Sequence, residues 1–266
     1  MIKNKSLLSL IFLLLVVGFI STALGQDCNP KDSPDPKTAP YKYVCYLRKF
    51  NSRGNAYTST AFLIAPRVLL TNAHNVYNGD RFDIAPAHHG QGTVLTAGDP
   101  RLTYDMVSIK RNKNNTFYSD DFIIREARRR RKNLLHLDYA IIVLPDNTLY
   151  NKLGGCLEIA ICDDVAKVGD NLSFIGYPGG ITKYNPTLLQ KTNTGMLTGY
   201  YEDNNMISYH LGTEKGASGS PIIITKDGIP KAIGIHGYGS DCNNSAIKIS
   251  KEVIANIRSW SASAGL

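Results

Sequence analysis

The shortness of its apolar runs constrains this chain more than any other feature. After residue 40 it rarely goes more than ten residues without a Gly, Pro, Asn or Asp, and the stretches between are rich in β-branched and aromatic residues. "YKYVCYL", "YTSTAFLIA", "RVLLTNAH", "RFDIAPA", "GTVLTAG", "DMVSIK", "YAIIVL", "LSFIGYP", "TGMLTGYY", "MISYHLG", "SPIIIT" and "KAIGIHGYG" each have the length of one strand. Branched and aromatic side chains pack well on a pleated surface. Many short strands with close turn signals predict an all-β barrel or sandwich rather than βαβ units. One late segment differs. In "SKEVIANIRSWSA", Ser250 to Ala262, the residues Val253, Ile254, Ile257 and Trp260 recur at helical spacing. Ser250 is placed to cap that helix, with Glu252 in its first turn. The expectation is β structure throughout with one C-terminal helix, and a linker at Pro145 to Gly155 between two halves of similar size.

The first 25 residues read as a secretory signal peptide. Lys3 and Lys5 precede an apolar run from Leu7 to Ile20, and Ala23-Leu24-Gly25 places small residues at a cleavage site. The rival, a retained membrane anchor, meets the objection that the run is short for a bilayer. Residues 26–40 are rich in Pro, Asp and Lys and read as an irregular leader or short propeptide. The mature chain would be extracellular and keep five cysteines: Cys28, Cys45, Cys156, Cys162 and Cys242. Five is odd, so at least one thiol has no partner within the chain. Cys156 and Cys162 are near enough in sequence to close a small loop, but the pairing stays open. Secretion also makes Asn114, Asn171 and Asn243, in "NNT", "NLS" and "NNS", acceptors for glycans.

The net charge of +8 is concentrated. Lys110 to Lys132 holds nine basic and three acidic residues, ending in the contiguous Arg128, Arg129, Arg130, Arg131 and Lys132. The plain reading is a solvated loop. The functional one is an anion patch for polyanionic surfaces, or a site of processing. No zinc-finger spacing or RNA-binding aromatic motif accompanies the run, so no specific nucleic-acid partner is expected. Neither a metal site nor a cofactor is expected.

Three polar residues stand at the edges of apolar strands. His74 follows one in "VLLTNAHNV", Asp138 precedes one in "LLHLDYAIIVL", and Ser218 precedes one in "KGASGSPIII". A serine hydroxyl needs a neighbouring base to become a nucleophile, and that base needs an acid to fix its tautomer and stabilise its cation. The order is His, Asp, Ser, with gaps of 64 and 80 residues.

These motifs carry a resemblance. "TNAHNV", "LDYAIIVL" and "GASGSP", in this order, resemble those of the chymotrypsin-fold serine peptidases, over roughly residues 41–260. The Ser-Gly-Ser-Pro variant and "IGIHGYG" resemble the glutamyl endopeptidase branch, typified by staphylococcal V8 protease. The resemblance implies two six-stranded antiparallel β-barrels packed together, the first at 41–145 with base and acid, the second at 146–266 with nucleophile and pocket. It implies His74 as general base, Asp138 as orienting acid and Ser218 as nucleophile, with the N–H groups of Gly216 and Ser218 as oxyanion hole. It also implies that Thr213 and His236 contact a substrate carboxylate, beside Gly237, Tyr238 and Gly239 as substrate-binding edge and pocket wall. Ala217 stands where trypsin-like enzymes carry the aspartate that pairs with a new N-terminus, so activation by that ion pair looks excluded. The implied function is a monomeric, secreted serine endopeptidase acting on proteins or peptides, with preference for cleavage after Glu. The rivals are a preference for small or hydrophobic residues, or a binding protein built on a protease scaffold.

Overall fold

The computed structural model describes residues 28–91, 98–99, 102–123, 132–178, 187–201, 203 and 205–266. The signal-peptide segment, the expected strand "GTVLTAG" apart from Gly98, and Arg128 to Arg131 lie outside them; Lys132 opens a 3-10 helix, Lys132–Leu137. No described helix is long and apolar enough to cross a membrane.

Two antiparallel sheets dominate. The first runs in the order Val107–Lys110, Arg81–Pro86, Val44–Phe50, Ala56–Ala65, Val68–Thr71, Ala140–Val143, Thr116–Tyr118. In the second, Lys191–Tyr201, Asn171–Gly176, Pro221–Lys226, Ile229–Ser240, Asn243–Lys248 and Met206–His210 follow one another, and the last pairs back onto the first. That pairing closes a six-stranded barrel. Among the described residues the first sheet curls without closing, so the two-barrel expectation is met by one closed barrel and one half-barrel.

The strands Val44–Phe50, Val68–Thr71, Ala140–Val143 and Pro221–Lys226 are buried on both faces over most of their length and read as apolar runs, whereas Lys191–Tyr201 and Val107–Lys110 alternate with exposed residues. Val44, Tyr46, Phe62, Leu70, Ile141 and Val143 point into a core shared by the two sheets. Their alternates Cys45, Leu47, Ala61, Leu63, Leu69 and Ile142 fill the interior of the first sheet. The second sheet divides in the same way. Ile175, Ile223, Ile235 and Ile247 face the shared core, whereas Phe174, Ile222, Ile224 and Ile233 fill the barrel. Each such large side chain contributes roughly 1.5–3 kcal/mol by leaving water.

Two features fasten the ends. The helix Lys251–Ser263 starts at the expected cap, where the Ser250 hydroxyl accepts from Val253 N–H at 3.2 Å. It buries Val253 and Ile257, stacks Trp260 on Tyr139 at 5.4 Å, and donates from Asn256 to the Tyr139 hydroxyl at 2.6 Å. At the other end, Cys28 forms a disulfide with Cys242. Lys31–Asp32 then pairs with Lys191 and Thr192 at the barrel edge. The remaining cysteines, Cys45, Cys156 and Cys162, are thiols, so the small loop between Cys156 and Cys162 is not bridged. Burial raises the pKa of all three, which disfavours the thiolate at neutral pH.

Candidate active site

His74 sits on the four-residue helix Ala73–Val76, directly after the buried strand Val68–Thr71. Asn72 turns the chain at that junction in an extended conformation. Its side chain does not cap the helix. It donates instead to the carbonyl of Asp138 at 2.8 Å. Lys49 holds the other end of the helix, donating from Nζ to the carbonyls of His74 at 2.9 Å and Tyr77 at 3.1 Å. Burial lowers the pKa of this lysine, and the charge of Asp138 opposes that effect.

Asp138 is completely buried at the start of the strand Ala140–Val143. Its Oδ1 accepts from His74 N–H at 2.8 Å, and its Oδ2 meets His74 Nδ1 at 2.6 Å and the Tyr238 hydroxyl at 2.5 Å. Burial pushes this carboxyl up. The charge of the His74 ring and the hydrogen bonds from His74 and Tyr238 more than offset it, so the group lies below the ordinary carboxylate range. An ionised carboxylate only accepts, so His74 Nδ1 carries a proton and Nε2 is the basic nitrogen.

Ser218 lies on a turn that the rest of the fold determines closely. Ala217 N–H bonds the Glu214 carbonyl, Ser220 N–H the Ala217 carbonyl, and Gly219 N–H the His236 carbonyl. The Ser218 carbonyl accepts from Thr60 N–H at 2.9 Å and Asn75 Nδ2 at 3.0 Å. Gly216 and Gly219 have φ of 96° and 88°, the left-handed region that favours glycine. A Cβ on Gly219 would also fall 2.0 Å from the Thr60 carbonyl. The N–H groups of Gly216 and Ser218 have no acceptor among the described residues, whereas those of Ala217, Gly219 and Ser220 are bonded. The His74 and Ser218 side chains form no direct hydrogen bond. Asn75, the neighbour of His74, links the two elements through the Ser218 carbonyl. Hydrogen bonds between a nucleophile and its base are often long before substrate binds.

Thr213 and His236 meet beside this turn, with Thr213 Oγ1 and His236 Nε2 3.2 Å apart. The direction of each bond follows from the partners. Asn244 spends its amide N–H groups on the carbonyls of Leu211 and Asp241, leaving its Oδ1 to accept from the Thr213 hydroxyl at 3.1 Å. Thr213 Oγ1 therefore accepts from His236 Nε2–H. The Tyr209 hydroxyl, 2.5 Å from His236 Nδ1, donates to it. His236 is only 4% exposed. Burial first, and the charge of His74 second, push its pKa down to about 3. The imidazole is thus a neutral donor, not the imidazolium that carboxylate binding suggests at first sight.

Gly237 and Gly239 lie beside it on the same strand. A Cβ on Gly237 would meet Asn72 Nδ2 at 3.3 Å, and one on Gly239 would fall 2.3 Å from Asn244 Oδ1. Asn114, Asn171 and Asn243 are all exposed. Sequence reasoning overlooked Tyr209, Asn244, Asn72, Asn75, Thr60 and Lys49. The available signal was weak: polar residues inside otherwise apolar strands, as with Tyr209 in "MISYHLG" and Thr60 in "YTSTAFLIA".

Residues 59–235 match the trypsin-like peptidase domain family. No curated protein matches the chain significantly in sequence. Among solved structures, a Glu endopeptidase in complex with MPD is similar over 89% of this chain and 98% of its own, at TM-score 0.67 and 21% identity. The protease Anisep from Arthrobacter nicotinovorans is similar over 88% and 99%, at TM-score 0.64 and 15% identity. An inactivated protease paralogue of the scabies mite, S-I1, is similar over 88% and 99%, at TM-score 0.59 and 16% identity. The fold alone therefore does not separate active from inactive proteins, and the case for chemistry rests on the residues.

Proposed function

The chain belongs to the trypsin-like peptidase family and is a serine endopeptidase, and from that premise we propose that it cleaves after glutamate by a Ser218-His74-Asp138 mechanism outside the cell. His74 Nε2 takes the Ser218 proton as the hydroxyl attacks the peptide carbonyl. Asp138 holds the ring and stabilises the imidazolium. The N–H groups of Gly216 and Ser218 receive the developing oxyanion, each such donor contributing roughly 3 kcal/mol to the transition state. His74 then protonates the leaving amine and afterwards activates the water that releases the acyl group.

The glutamate preference is carried by one observation, the side-by-side hydroxyl and imidazole N–H of Thr213 and His236. A carboxylate is a stronger acceptor than the neutral oxygens these donors now face, so an entering glutamate side chain competes for both. Among the described residues no aspartate or glutamate carboxylate bonds to the side chains of Thr213, His236, Tyr209 or Asn244, where it would favour lysine or arginine. The oxidised Cys28–Cys242 pair supports an extracellular site of action, together with the expected signal peptide. Sequencing the cut sites on a denatured protein tests the preference. Enrichment of Glu before the cut is expected; cuts spread over Ala, Val or Leu would replace it with a preference for small or apolar residues.

A further inference from the structure

We propose that Tyr238 is a positioning residue for the acid of the catalytic set, gripping Asp138 through its hydroxyl from the opposite barrel. The proposal rests on the catalytic reading above and adds a member to it. Tyr238 was expected to line the substrate pocket, yet its hydroxyl lies 2.5 Å from Asp138 Oδ2, the oxygen that also faces His74 Nδ1 at 2.6 Å.

The backbone makes this reach feasible. The pairing of Ile229–Ser240 with Asn243–Lys248 shifts register between His236 and Tyr238. A shift of this kind inserts an extra residue and re-aims the following side chain. The residue passed over is Gly237. Because it lacks a side chain, the strand passes close to Asn72, whose Nδ2 donates to the Asp138 carbonyl. Asp138 is therefore held from two sides. Asn72 and the His74 N–H lie on the segment that follows the strand Val68–Thr71 of the first sheet; the Tyr238 hydroxyl comes from a strand of the second, 100 residues from Asp138 in sequence.

A carboxylate taken fully out of water needs its lone pairs occupied, since an unpaired buried charge is costly. The two His74 bonds leave Oδ2 with room for a second donor, and Tyr238 supplies it. The tyrosine also fixes the plane of the carboxylate. That plane decides whether Oδ2 faces Nδ1, and so whether Nε2 points toward Ser218. Tyr238 is half-buried, and its ring packs against the shared core. Removing the hydroxyl alone leaves that packing in place.

Tyr238→Phe tests the assignment in the full-length mature enzyme. Turnover of a glutamyl peptide is expected to show kcat about tenfold lower and KM within about twofold, with the melting transition lowered by only a few degrees. The proton NMR resonance of the His74 Nδ1–H is expected to move, because its acceptor has lost a competing donor. An unchanged kcat with an unchanged resonance overturns the proposal. A raised KM with unchanged kcat also overturns it, and returns Tyr238 to the pocket wall. The resonance is read without turnover. If the wild-type enzyme failed to cleave peptides, the catalytic reading would fall, while the Nδ1–H resonance would still decide whether Tyr238 positions Asp138.

Discussion

Two histidines border the Ser218 turn, and the fold makes opposite things of them. The His74 side chain is 36% exposed and faces a buried carboxylate across 2.6 Å. His236 is 4% exposed and has a neutral hydroxyl at each ring nitrogen, those of Tyr209 and Thr213. A carboxylate stabilises an imidazolium, and an open ring edge lets a proton come and go. A buried ring between hydroxyls stays neutral and keeps one N–H aimed in a fixed direction. On the proposed mechanism the same side chain serves as a proton carrier in one place and as a rigid hydrogen-bond donor in the other. The two are not independent, because charge on His74 further disfavours charge on His236.

The largest test of this contrast is removal of the proton carrier. His74→Ala is expected to lower kcat roughly a hundred thousand-fold or more, read by peptide turnover. Asp138→Asn keeps the shape but offers a donor where Nδ1–H needs an acceptor. It is expected to lower kcat about ten thousand-fold. If both variants kept near-native activity, His74 would be no more a carrier than His236.

Changes at His236 should act differently. His236→Leu is expected to lower kcat/KM for glutamyl substrates about a hundredfold, with leucyl substrates changed by only a few-fold. A parallel fall for both would mean that His236 supports the Ser218 turn and reads nothing. Tyr209→Phe should have a smaller effect of the same kind, about tenfold, because it frees the tautomer without removing the ring.

The last test reads stability against pH. The unfolded chain binds a proton on His236 below about pH 6.5, whereas the native state does so only near pH 3. Its contribution is therefore complete above about pH 6.5 and is lost as pH falls from there toward 3, by up to about 1.4 kcal/mol per pH unit. Asp138 has the opposite chemistry and the same sign. Its lowered carboxyl contributes stability above about pH 3.9 that disappears as pH falls through the native value. Urea unfolding from pH 4 to 7 should show a shallower slope in His236→Gln than in the native protein.

The sequence made much of this legible, for a physical reason. Strands buried on both faces announce themselves as apolar runs, and residues at their ends stand out as polar. His74, Asp138 and Ser218 are all of that kind. The C-terminal helix was equally plain, because its apolar spacing and its Ser250 cap agree. The strand Asn243–Lys248 was missed because it opens with three polar residues, only one of them buried. The supporting bonds were hidden by distance along the chain. Thr60 reaches Gly216 across 156 residues, Asn75 reaches Ser218 across 143, and Tyr238 reaches Asp138 across 100. No local pattern encodes such meetings. The neutrality of His236 was likewise invisible, because it depends on burial and on the charge of His74, and its tautomer depends on Tyr209, two strands over.

The most direct test of the central claim is covalent labelling of the mature enzyme by a fluorophosphonate, with the modified residue located by mass spectrometry. A single adduct on Ser218, absent from Ser218→Ala and nearly absent from His74→Ala, is the predicted result. Failure of the native protein to label, or equal labelling of the His74→Ala variant, would contradict the claim that His74 is the histidine that activates Ser218.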